Sequence, residues 1–175
     1  MKRFRTETLI VLCLIALGVS LRVIPHPDNF APMAAIAIFG GALLPKRLAL
    51  LAPLGAMIIS DAFIGFHSLI VVTWGCYALI ALASQLWLKK PNLLRMATIT
   101  LGSSLFFFVV TNFAVWLTSE MYSLNMSGLE RCFILALPFF RNTLLSDLIY
   151  TSSLFGLYYL ALQLANQHTK FSKQT

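Results

Sequence analysis

Apolar residues in this chain fall in long runs broken by short polar punctuation, and not in amphipathic stripes. The runs predict helices over residues 7–23, 32–44, 48–60, 68–88, 95–117 and 142–165. About twenty apolar residues in a helix cross the hydrocarbon core of a bilayer. The second and third runs are short for a full crossing, so neighbouring helices are expected to bury them. Pro45-Lys46-Arg47 and Lys89-Lys90-Pro91-Asn92 read as tight turns, and 118–130 as a longer connection holding Asn125, Ser127 and Gly128. Arg131–Leu137 predicts a short helical piece stopped by Pro138, because proline lacks the amide donor and clashes with the preceding turn. The tail from Asn166 is polar, and no internal repeat is present.

The stretch Arg22–Gly41 holds most of the punctuation of the first quarter. Pro25, Pro27 and Pro32 keep it out of a regular helix. Arg22, His26, Asp28 and Asn29 lie at the lip of an apolar segment, where polar groups are costly unless they face water, protein or a ligand. The expectation is an external loop that dips back toward the bilayer and helps form a binding site. The second run is rich in small residues (Ala34, Ala35, Ala37, Gly40, Gly41), which let helices in lipid approach closely.

Composition settles the class. Of 175 residues, 59% are hydrophobic and 11% charged, and the mean hydropathy is +0.83, more apolar surface than a soluble domain hides. The fold class expected is all-α, a polytopic membrane protein of about six transmembrane helices forming one domain over 1–175. The net charge of +7 would suggest nucleic acid in a soluble protein, but here it follows from topology. Ten of the thirteen basic residues (Lys2, Arg3, Arg5, Lys46, Arg47, Lys89, Lys90, Arg95, Lys170 and Lys173) fall on one side of the map, and only Arg22, Arg131 and Arg141 on the other. By the positive-inside rule the richer side is cytoplasmic, which puts both termini inside. Asp28, Asp61, Glu120, Glu130 and Asp147 gather on the outer half and Glu7 inside. The basic, apolar N-terminus imitates a secretory signal, and is expected to remain as the first helix.

Function is therefore expected in a cavity open to the outside. Each candidate there has a structural alternative. Asp61 and Asp147 either cap helices and pair with arginines or serve a site. Arg141, deep in the last apolar run, is expected to be paired with Asp147 or Asp61, since a lone arginine there costs ~2.5–3.5 kcal/mol. His26 touches substrate or shapes the loop, and His67 is a site residue or an interfacial one. Asn112 reads as helix–helix glue and Phe106–Phe108 as core or lipid-facing. Trp74 and Trp116 read as belt aromatics or as walls of a ring-binding cavity. Cys13, Cys76 and Cys132 make no disulfide framework. Cys76 lies about 12 Å into its helix by the helical rise, between Gly75 and Tyr77, and is packing unless a ligand approaches it. Nucleotide-binding loop, zinc-protease and nucleophile-elbow motifs are absent from the sequence.

Several stretches carry a resemblance: Arg22-Val-Ile-Pro-His-Pro-Asp-Asn-Phe-Ala-Pro, Ile38-Phe-Gly-Gly, Ser60-Asp61 followed by Gly65-Phe-His67, Thr111-Asn-Phe-Ala-Val-Trp116, and Ala136-Leu-Pro-Phe-Phe-Arg-Asn-Thr-Leu-Leu-Ser-Asp147. Together they resemble the integral-membrane family of unknown function DUF6580, which is in turn similar to the six-helix S components of energy-coupling factor (ECF) vitamin transporters. Within that neighbourhood the resemblance extends to BtuM-type cobalamin transporters, in which a membrane cysteine contacts the corrin cobalt. It implies Cys76 as the cobalt ligand, a soft donor suited to that metal. It also implies His26, Asp61, Tyr77 and Arg141 as substrate-binding residues, to which the loop residues Asp28 and Asn29 are added.

The function expected is uptake, in a bacterial inner membrane, of a vitamin bound from the outer side, cobalamin or another corrinoid first. No catalysis, permanent cofactor or nucleic-acid partner is expected. The partners are the substrate, the lipid bilayer and an energy-coupling ATPase module. The rival readings are an S component for another small vitamin, an intramembrane enzyme using Asp61, His67 and Arg141, and a non-transporting accessory subunit.

Overall fold

Six helices make up the described residues, 2–171, of the computed structural model: α1 (Lys2–Val23), α2 (Met33–Leu43), α3 (Lys46–Ile64), α4 (Ile70–Trp87), α5 (Leu93–Thr118) and α6 (Met126–Phe171). Five of them, all but the shorter α2, are long and apolar enough to cross a membrane. The exposed side chains on these helices are largely leucine, isoleucine, valine and phenylalanine, as suits a lipid-facing surface. Lys173 lies outside the described residues, as do the side chains of Lys2, Arg3 and Lys170, so the charge map rests there on sequence alone.

The short helix α2 is the centre. Every residue from Met33 to Gly41 is buried, and α2 touches each of the other five helices. A helix apolar all round has no water-facing side and must be enclosed. The other five stand around it in the order α1, α3, α4, α5, α6, each packed on the next. Gly41 is where α4 comes closest: a Cβ built there would lie 2.3 Å from the Ala81 carbonyl oxygen. Gly18 plays the same part between α1 and α3, where a Cβ would meet that of Ala56 at 2.8 Å.

The ring is open between α1 and α6, which do not meet among the described residues. The proline-rich loop 24–32 fills that gap at one end. Asn142 Nδ2 donates to the Asp28 carbonyl oxygen at 3.0 Å, and Ser146 Oγ donates to that of Ala31 at 2.8 Å. The Phe30 ring meets Tyr150 edge-on. The loop turns at Asn29, whose φ of 59° lies in the left-handed region that asparagine tolerates better than most residues.

Two elements differ from the sequence reading. The third helix was expected over 48–60 and short. It runs Lys46–Ile64, long enough to span, with Pro53 inside it. The last helix was expected to begin near 142, after a separate piece ending at Pro138. Instead α6 is continuous from Met126 to Phe171, with Pro138 in its interior. Helices in lipid carry internal prolines because neighbours and local adjustments satisfy the freed carbonyl. Asn125 belongs to this helix as its cap, its Oδ1 accepting from the Gly128 amide at 2.8 Å. Asparagine favours turns and N-caps for the same reason, a side-chain acceptor near free amides, so sequence alone did not separate them. The residues from Asn166 to Phe171 continue the same helix. At ~1.5 Å per residue α6 is about 69 Å long, more than twice the hydrocarbon core.

Candidate functional site

The site is built on an ion pair. Arg22 stands in the last turn of α1, where a cation also complements the helix dipole. Asp61 stands in the last turn of α3, its side chain fully buried. Arg22 Nη1 lies 2.7 Å from Asp61 Oδ1, and also donates to Ser60 Oγ and to the Met57 sulfur. The second carboxylate oxygen, Oδ2, accepts from Trp74 Nε1 at 2.8 Å. Asp61 is thus held from two helices and in turn fixes Arg22. The remaining guanidinium nitrogens of Arg22 have no protein partner among the described residues.

Arg22 borders a cavity of about 220 Å³. Loop 24–32 and the start of α2 contribute His26, Asn29, Ala31, Met33 and Ala34; α3 contributes Met57, and the loop after it His67. Thr73 and Tyr77 come from α4, Phe107 from α5, and Thr143 and Asp147 from α6. Thr73/Tyr77 and Thr143/Asp147 are i, i+4 pairs, which share a helix face. Tyr77 stacks on Phe107 with centroids 5.1 Å apart. Asp147 is 2% exposed. Ser104 Oγ donates to its Oδ2 at 2.7 Å, with the Thr100 carbonyl oxygen competing for that one proton at 3.0 Å. His26 clips the loop, with Nδ1 2.8 Å from the Pro27 carbonyl oxygen and Nε2 3.3 Å from that of Arg22.

Of the residues expected from sequence, His26, Asn29 and Tyr77 line this cavity, and Asp61 stands directly behind its Arg22 wall. Asp28 does not line it and offers its backbone carbonyl to Asn142. Arg141 was expected to be paired with Asp147 or Asp61. It is exposed, lines no part of the cavity and has no ion pair among the described residues; the arginine on Asp61 is Arg22. The set Asp61, His67 and Arg141 is therefore not brought together. Cys76 is buried and is not a lining residue. Thr73 and Tyr77 line the cavity from α4, and Cys76 stands about 60° round the helix from the first and about 100° from the second. Trp74 does not line this cavity, and its indole donates to Asp61 Oδ2.

Arg22, His67 and Asp147 enter the site from the wider set of outer polar residues. Met57, Thr73, Phe107 and Thr143 were not expected. The i, i+4 spacing of threonine with tyrosine and with aspartate was the available signal. A corrinoid, taken as cargo, does not fit this geometry as it stands. The volume is below the ~300–1,000 Å³ of pockets for drug-sized ligands, and the thiol does not border it. Among the described residues no group of three or more His, Cys, Asp or Glu is placed to hold a metal ion.

Fold and site together define an all-helical protein of membrane-spanning type with a small polar cavity between its helices. The chain belongs to the DUF6580 family, a family of unknown function, whose model matches residues 2–171. No curated protein and no solved structure matches it.

Proposed function

We propose that this chain is a membrane solute-binding protein for uptake, of the vitamin-transporter S-component type, that receives a small polar molecule in the Arg22 cavity. The observation that supports this reading is Arg22 itself. A guanidinium among apolar helices is costly, and a purely structural pair would use its donors on the protein. Here one nitrogen is consumed by Asp61, Ser60 and Met57, the others have no protein partner among the described residues, and the side chain belongs to the cavity lining. Such a group recognises an anionic or carbonyl-bearing ligand with geometric specificity.

The cavity opens beneath loop 24–32 and His67, on the side that the basic residues mark as external. A bacterial inner membrane, with both termini inside, is part of this proposal. A cavity of about 220 Å³ is smaller than the ~300–1,000 Å³ of pockets for drug-sized ligands, so the ligand proposed is a single ring with short arms. An energy-coupling ATPase module would act as a separate partner.

Native mass spectrometry of the protein, purified after growth in rich medium and gently released from detergent, tests the proposal. A small molecule retained by the wild type and lost from Tyr77→Phe or His26→Ala, with both variants folded, is the result expected. Wild-type protein that holds no small molecule, and gains none when offered mixed vitamins, would sink it.

A further inference from the structure

Asp147 is used by nothing described so far. It stands on α6, 2% exposed, and borders the cavity. Its one hydrogen bond among the described residues comes from Ser104, to Oδ2. Among the described residues no arginine, lysine or histidine forms an ion pair with it, and Arg22, the arginine of the site, is paired with Asp61. A buried carboxylate without a counter-charge loses several kcal/mol of hydration. Membrane helices keep such groups where they meet a substrate, an ion or a proton.

The charged and titratable groups around the cavity are Arg22 with Asp61 on one wall, Tyr77 on α4, Asp147 on α6, and His26 and His67 at the mouth. Arg22 and Asp61 pair with each other, and Asp147 is left without a partner of opposite charge among the described residues. Tyr77 and Phe107, stacked on each other, line the same cavity as Asp147, and the Tyr77 hydroxyl has no hydrogen bond among the described residues. A carboxylate next to an aromatic face suits a protonated nitrogen, through charge on one side and the ring quadrupole on the other.

We infer that Asp147, with Tyr77 and Phe107, forms a subsite for a protonated or quaternary nitrogen, so that the ligand carries a basic group for Asp147 and an electron-rich group for Arg22. The inference rests on the uptake reading above and narrows its substrate to small amphoteric or cationic ring compounds. It separates them from purely anionic vitamins of similar size, which would face an unpaired carboxylate at close range.

The test uses the full chain in lipid nanodiscs and a defined mixture of probes: pyridoxamine, pyridoxine, thiamine, nicotinate, biotin and pantothenate, each at the same concentration. Retained compounds are identified by mass spectrometry, and each is then titrated singly. Pyridoxamine and pyridoxine are a matched pair, an amine against a hydroxyl on one ring. The wild type is expected to prefer pyridoxamine and thiamine, which carry an ammonium or a quaternary nitrogen, at least tenfold over the other probes, and Asp147→Asn to bring that preference to within about twofold. Asn keeps the size of the side chain and an acceptor for Ser104. Ser104→Ala, which leaves the carboxylate in place, should retain the preference and so control for packing. Wild-type retention of nicotinate, biotin or pantothenate over the amines would overturn the subsite while leaving the uptake reading in place. So would an Asp147→Asn protein that is folded and still discriminates. Failure of the wild type to bind any probe would count against both.

Discussion

Removing Arg22 is the most direct perturbation of the site, and its cost can be worked from the contacts. Arg22→Met keeps a long unbranched side chain and deletes the charge. Asp61 then loses the partner 2.7 Å from Oδ1 and keeps only the Trp74 indole on Oδ2. Breaking a buried ion pair from one side costs ~3–5 kcal/mol. The lower end applies, because the Arg22 side chain is 16% exposed and water in the cavity reaches the space it leaves. Asp61→Asn keeps the shape and an acceptor for the indole, and leaves a guanidinium with Ser60, Met57 and water. That variant should lose about 1–3 kcal/mol. The double variant has neither charge, so it should lose roughly 2 kcal/mol less than the two single losses added together, within the usual range for residues in contact. Reversible unfolding by denaturing detergent in mixed micelles, followed by tryptophan fluorescence, gives all four free energies. Additivity within about 0.5 kcal/mol would mean that the two groups do not hold each other, and Arg22 would lose its place as the fixed donor of the site.

Gly41→Ala should destabilise by about 1–3 kcal/mol through overpacking, because the new Cβ meets backbone of α4. Gly75→Ala, with open space around it, should be neutral or gain up to ~1 kcal/mol in helix propensity, and thermal midpoints in detergent compare the two. Arg141→Ala should change stability by no more than about 0.5 kcal/mol, since it has no ion pair among the described residues; a large loss of folded yield would contradict that placement. Trp74→Phe removes the donor to Asp61 Oδ2 and should cost about 1–3 kcal/mol, read by the same unfolding assay. A reporter enzyme that is active only in the cytoplasm, fused after Thr175, should be active; activity of a periplasm-specific reporter there would reverse the charge-based orientation.

The helices themselves were legible in the sequence, because in lipid the backbone must satisfy its own hydrogen bonds and apolar runs have little choice but helix. The proline-rich loop was legible for the opposite reason: Pro25, Pro27 and Pro32 stand so close together that a helix through them would lose several hydrogen bonds at once. The reach of α6 through Pro138 was not, because whether a proline ends a helix or rides inside it depends on what surrounds the freed carbonyl. The site was half legible. Polar residues at the outer ends of apolar runs marked the region, but their partners come from distant stretches of chain, and sequence carries no direct signal of pairing. On that map Arg141, and not Arg22, was the arginine expected to pair with Asp61 or Asp147. Only the packing of α1 against α3 gave Asp61 to Arg22 and left Arg141 outside. Cys76 and Tyr77 are neighbours in the chain, yet a helix turns about 100° between successive residues. The tertiary arrangement alone decided that Tyr77 and Asp147 face the cavity and that the thiol does not line it.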